Sequence, residues 1–197
     1  MKVTREQAVE NRARVVSVAS RLFREKGFDG ISVAEIMKDA GLTHGGFYGQ
    51  FKSKDDLAVQ ACIRAFAQTA EGLAALAGTS RGDPLTTLIS DYVSEAHRDA
   101  PGTGCMIAAL GPEAARQNRP LRQAFTHGIK QFIDLVTKFE AGASKAAKRK
   151  TAMATVAEMV GSIVLARAVD DPALSREILD AALRDLTAPR QARGHTR

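Results

Sequence analysis

The chain has 197 residues, 45% hydrophobic and 25% charged, an ordinary globular composition that excludes a chain disordered throughout. No continuous apolar run approaches the roughly 20 residues of a membrane span, the first twenty residues hold no signal-peptide core, and two cysteines, Cys62 and Cys105, are too few for a disulfide framework. The expectation is a cytoplasmic protein without membrane attachment, whose net charge of +6 permits a polyanionic partner without requiring one.

Apolar residues recur at helical spacing almost everywhere, and no segment alternates long enough for a strand, so the predicted class is all-α with about nine helices. The first helix is expected over Thr4–Lys26, with Ala8, Val15, Ala19, Leu22 and Phe23 on one stripe and Gly27 as its stop. Phe28 and Ile31 read as core anchors in a short link. Ser32 and Glu35 form a capping-box pattern that opens a second helix, which Gly41 ends. Thr43 is the expected N-cap of a short third helix reaching about Gln50. Ser53 caps a fourth that runs to about Ala77, with Asp55 and Asp56 suited to its positive N-terminus. Further helices are predicted at about 84–99, 104–117, 120–141, 148–170 and 173–187, with Gly111-Pro112 as a break point and the tail 189–197 disordered.

Two short helices joined by Gly41-Leu42-Thr43 have the spacing of a helix-turn-helix motif. The string AGLTHGGFYGQFKSKDDL is more specific than spacing: Ala40, Gly41, Leu42, Thr43, Phe47, Tyr48, Phe51, Ser53 and Lys54 fall in an order that resembles the TetR/AcrR family of bacterial transcriptional regulators. The resemblance is strong over about residues 10–60. It implies an N-terminal three-helix helix-turn-helix DNA-binding domain, residues 1–52, and a C-terminal helical ligand-binding and dimerisation domain, residues 53–188. His44 stands where Lys is frequent in that family, and Gly49 where a larger polar residue is frequent.

The residues themselves suit DNA. Recognition helices present N-terminal side chains to base edges while neighbouring groups grip phosphates. Thr43 and His44 are polar groups at that end, Gly45 and Gly46 let the backbone approach closely, and Tyr48, Lys54 and Ser32 are candidate phosphate contacts. Each also has a plainer reading: Ser32 as a cap alone, Tyr48 as packing, Gly45-Gly46 as a helix irregularity, His44 as a solvated side chain. Phe47 and Phe51 read as core.

Cys105 lies before an apolar run at a predicted helix start, where a helix N-terminus lowers a thiol pKa. The family resemblance implies ligand or redox sensing there; burial as a small hydrophobe is the alternative. The histidines His44, His97, His127 and His195 have no zinc-ligand spacing, so no metal, cofactor or catalytic residue is expected. The leading reading is a DNA-binding repressor, homodimeric through its last two helices, on a near-palindromic double-stranded operator. An unknown small-molecule effector or thiol modification releases it. The alternative is a helical-bundle enzyme or small-molecule-binding module that does not bind DNA.

Overall fold

In the computed structural model, residues 4–188 are described; the tail expectation for 189–197 lies outside them. Nine α-helices and one 3-10 turn make up their regular structure, with no strand among the described residues. Helix α1 spans Arg5–Lys26, α2 Val33–Asp39 and α3 Lys54–Thr79; the 3-10 turn, His44–Gly46, lies between α2 and α3. Then follow α4 (Pro84–Tyr92), α5 (Glu95–Asp99), α6 (Met106–Ala114), α7 (Arg119–Phe139), α8 (Lys145–Ala168) and α9 (Pro172–Thr187).

Local chemistry sets the boundaries. Thr4 caps α1 by accepting from the Gln7 amide, and Gly27 ends it at φ 82°. Gly41 follows α2 at φ 69°. Both are left-handed conformations that cost a side-chain-bearing residue energy. Ser32 and Glu35 complete the expected capping box: the Ser32 hydroxyl accepts from the Glu35 amide, and the Glu35 carboxylate accepts from the Ser32 amide at 2.8 Å.

Four sequence expectations change. The segment 84–99 is two helices, because Val93 leaves helical geometry and Ser94 starts α5 by accepting from the His97 amide. Pro112 sits inside α6 rather than breaking it, and the helix ends two residues later. Helix α8 begins at Lys145, three residues early, because Ser144 accepts from the Ala147 amide. The third helix does not reach Gln50: only one 3-10 turn forms, and Thr43 sits at its start without a side-chain capping bond. Gly45, Gly46 and Gly49 within this stretch each disfavour α-helix by about 1 kcal/mol relative to Ala.

The chain folds as two units. Among the described residues, the first combines residues 4–69 with Pro101–Ile129, the second Ala70–Ala100 with residues 130–188. In the first, α1 packs on α2 and α6 around Val15, Ala19, Phe23, Phe28, Ile36, Met37, Phe47 and Phe51, all buried. Ala8, expected on that stripe, is exposed because α1 extends beyond its packing partners. In the second, α8 packs on α9 and α5, and α4 on α9. Helix α8 is the one described helix long and apolar enough to cross a bilayer, although its apolar residues are interrupted by Glu158 and Arg167.

Candidate nucleic-acid interface

The segment between α2 and α3 is anchored at two points and open between them. Phe47 and Phe51 are 1% and 2% exposed, with their rings stacked 5.4 Å apart. Around these anchors Thr43, His44, Gly45, Gly46 and Tyr48 are exposed. Tyr48 is 69% exposed, although its ring meets Phe47 edge-on at 5.2 Å. The His44 ring lies 6.0 Å from Tyr48 in a T-shaped pair. Ser32, at the start of α2, is exposed, and Lys54, at the start of α3, is half-buried.

The backbone is held lightly. The Gly46 and Phe47 amides donate to the carbonyls of Thr43 and His44, and those of Gln50 and Phe51 both donate to the Phe47 carbonyl. An isolated segment with this pattern does not propagate a helix. Its core packing and its exit toward α3 fix it instead.

That exit carries a cluster which sequence reasoning missed. The Arg12 guanidinium of α1 donates to the Gln50 carbonyl and, at 2.8 Å, to the Gln60 side-chain oxygen. It also lies over the Phe51 ring, 4.5 Å from the centroid. Gln60 donates to Asp56, which also accepts from the Lys52 amide at 3.0 Å. That backbone hydrogen bond leads in holding the Asp56 carboxyl below its ordinary range, followed by Gln60 and the charge of Arg12. Sequence separations of 38 and 48 residues leave no local signal for these contacts.

Electrostatics near Ser32 run the same way. The Glu35 carboxyl is lowered first by hydrogen bonds from the Ser32 side chain and backbone, and then by the charges of Lys26 and Lys54. The link between α1 and α2 is tied to α6: the Phe28 amide donates to Glu113 at 2.9 Å.

Cys105 is buried at the N-cap position of α6. Beside it, Arg24 of α1 donates to the Gly104 carbonyl at 2.6 Å. Burial lowers the Arg24 pKa, while the nearby Cys105, Glu25 and Cys62 act to raise it. Cys62 is buried in α3, and desolvation pushes its pKa up to about 12 against the pull of Arg24. Of the residues singled out in the sequence, Ser32, Thr43, His44, Gly45, Gly46 and Tyr48 are thus exposed and Lys54 half-buried, whereas Cys105 lies in the interior. No group of three or more His, Cys, Asp or Glu among the described residues is placed to hold a metal ion.

The second unit contains a cleft of about 220 Å³ lined by Asp83, Leu85, Thr86, Ile89, Phe139 and the end of α9. This is below the ~300 Å³ of a typical small-molecule site, and it carries no effector assignment.

These features define a protein of the helix-turn-helix class whose regular structure, among the described residues, is helical throughout. Residues 15–61 match the family described as bacterial regulatory proteins, tetR family. The HTH-type transcriptional regulator AcrR of Shigella flexneri is 44% identical over 54 residues, 27% of this chain and 25% of that protein. The HTH-type transcriptional repressor NemR of Escherichia coli is 23% identical over 132 residues, 66% of each chain. The matched stretches thus span a quarter and about two thirds of these relatives' lengths. In fold, the reduced form of Escherichia coli NemR superposes with a TM-score of 0.75 at 21% identity, covering 90% of this chain and 95% of that one. A TetR transcriptional regulator from Chloroflexus aurantiacus gives 0.76 at 24%, covering 93% and 97%. Over residues 15–61 the chain thus carries the N-terminal domain of the tetR family, and its fold is that of these regulators.

Proposed function

We propose that the chain is a DNA-binding transcriptional regulator acting as a repressor. The observation that carries this reading is the exposure of Thr43, His44, Gly45, Gly46 and Tyr48 on a segment whose Phe47 and Phe51 are locked in the core. A packing element would bury the polar and aromatic members together. Here the anchors face inward and the hydrogen-bonding groups face out, as a reading element requires. Thr43 and His44 face base edges, Gly45 and Gly46 allow close approach, and Ser32, Tyr48 and Lys54 meet phosphates.

The domain division at about residue 52, with ligand binding and dimerisation in 53–188, belongs to this proposal, as does a cytoplasmic location. The active form is a homodimer through α8 and α9 on a near-palindromic operator. Support comes from an apolar row on α8 that its own unit leaves uncovered: Met153, Ala157 and Leu165 are exposed, and Val160 and Gly161 half-exposed. Leu174 of α9 is exposed as well. This row and the buried row on the opposite side together account for the high apolar content of α8. A small-molecule effector or modification of Cys105 favours the form that no longer fits the operator, as linkage requires. The position of Cys105 at the start of α6, which is tied to the α1–α2 link through Glu113, supports that coupling.

Selection of bound sequences from a random duplex pool with the pure protein tests the reading. An enriched, near-palindromic sequence is expected, with affinity that falls steeply as salt rises. Tyr48→Phe and Lys54→Ala weaken binding to that sequence and to random duplex alike, with little change in thermal stability. No enrichment together with salt-independent binding overturns the proposal in favour of a helical module that does not read DNA.

A further inference from the structure

The recognition segment does not hold its own pose. Between Thr43 and Gln50 it has three glycines, one 3-10 turn, and no side-chain cap at its start. The two buried rings, Phe47 and Phe51, fix where it sits. A pair of apolar anchors is non-directional, however, and leaves rotation about the line joining them weakly specified. Only directional bonds can set that rotation.

The bonds inside the segment are local, and the directional bonds that tie its exit to the neighbouring helices come from Arg12 and Asp56. One arm of the Arg12 fork donates to the backbone carbonyl of Gln50, the residue immediately before the Phe51 anchor, and the other to Gln60 of α3. Its guanidinium carbon lies over the Phe51 ring. Gln60 is in turn bonded to Asp56, which holds the Lys52 amide on the other side of Phe51. The chain is therefore gripped at residues 50 and 52 by one connected network spanning α1 and α3. A guanidinium makes two divergent bonds and a cation–π contact at once. An ammonium is a point charge and cannot reproduce that geometry.

We infer that Arg12, supported by Gln60, is a positioning residue for sequence reading: it sets the rotation of the recognition segment against the bases and makes no DNA contact of its own. The inference rests on the DNA-reading proposal and deepens it. A pose matters for base contacts, which are directional, and matters little for non-specific attraction to phosphates, which is not.

The test compares Arg12→Lys, Arg12→Met and Gln60→Met on two probes, the duplex selected by the unmodified protein and a random duplex of equal length. All three variants should lose at least tenfold in the ratio of selected to random affinity. Affinity for random duplex and the salt slope should stay unchanged. A direct phosphate contact predicts otherwise. Arg12→Lys would then keep its affinity, Gln60→Met would have no effect, and Arg12→Met would weaken both probes and reduce the salt slope by about one; that pattern overturns the inference. A merely structural role lowers the melting temperature and scales both probes by the folded fraction, leaving the ratio intact, and also overturns it. If the unmodified protein selects no sequence, the DNA-reading proposal itself falls. If it does and the variants keep its ratio, only the role of Arg12 falls.

Discussion

A β-carbon added at Gly45 meets no protein atom within 4 Å, and one added at Gly46 comes no nearer than 3.8 Å to Met37 and Thr43. Neither glycine has a left-handed φ. Nothing in the free protein requires glycine there, and its helix propensity is the poorest after proline. Gly45→Ala is therefore expected to keep or slightly raise the melting temperature while weakening operator binding, because under the proposed reading the open space the new methyl enters is where DNA approaches. Equal affinity with raised stability would mark Gly45 as a neutral irregularity. The thiols present a parallel choice. Cys62 is buried with its pKa pushed up to about 12, so an alkylating reagent should label it only after unfolding. Cys105 is also buried; if it senses electrophiles, native-state labelling must proceed through opening of the α6 start, and Cys105→Ser must abolish release from DNA without reducing affinity. Mass mapping of native and denatured protein reads both. The family string named the residues at 43–48 but left their exposure open, whereas Phe47 and Phe51 were legible as core because they are the large apolar side chains of that string. Arg12 was not legible, since its meaning lies in a carbonyl 38 residues away.

Elements were legible where a cap and a stripe agree. Ser32 with Glu35, and Gly27 at the end of α1, marked their boundaries correctly because those signals are local hydrogen bonds and a local φ. The short third helix failed because the motif predicted its place but its glycines decided its geometry. The break at Val93 was missed because neither glycine nor proline marks it. What makes the break is the capping of α5 by Ser94 and the capture of the His97 ring by the Tyr92 carbonyl at 2.7 Å. That ring also packs on Tyr92, 4.5 Å between centroids. Burial lowers the His97 pKa below 6.5, outweighing the carbonyl bond that raises it. A histidine with a depressed folded pKa favours the neutral form in the fold. Its contribution is fully present above about pH 6.5 and is lost as pH falls from there toward the folded value. The melting temperature should consequently drop between pH 7 and pH 5, and His97→Asn should flatten that drop. An unchanged profile in the variant would assign the acid sensitivity to other groups.

At the scale of the whole molecule, apolar stripes in sequence do not reveal which face is core and which is interface. Val160 and Leu179 both lie on the dense stripes of the last two helices, yet only Val160 is part-exposed; Leu179 is 4% exposed and belongs to the core of its own unit. A charge at Leu179 would disrupt the α8–α9 pair rather than separate two chains. Leu165, 58% exposed in a row of small and apolar residues, is the informative position. Burying a leucine is worth up to roughly 1.5–3 kcal/mol, and a two-fold interface uses the residue twice. Leu165→Arg should therefore convert a dimer at micromolar concentration into a folded monomer, visible as halved mass in sedimentation with the helical signal retained. The same variant should bind a selected operator only as weakly as a single half-site, because two reading segments on one face of B-DNA must be spaced by about 34–36 Å or a multiple. A monomeric unmodified protein, or a Leu165→Arg protein that remains dimeric, would place the interface elsewhere and leave the exposed row of α8 to another occupant.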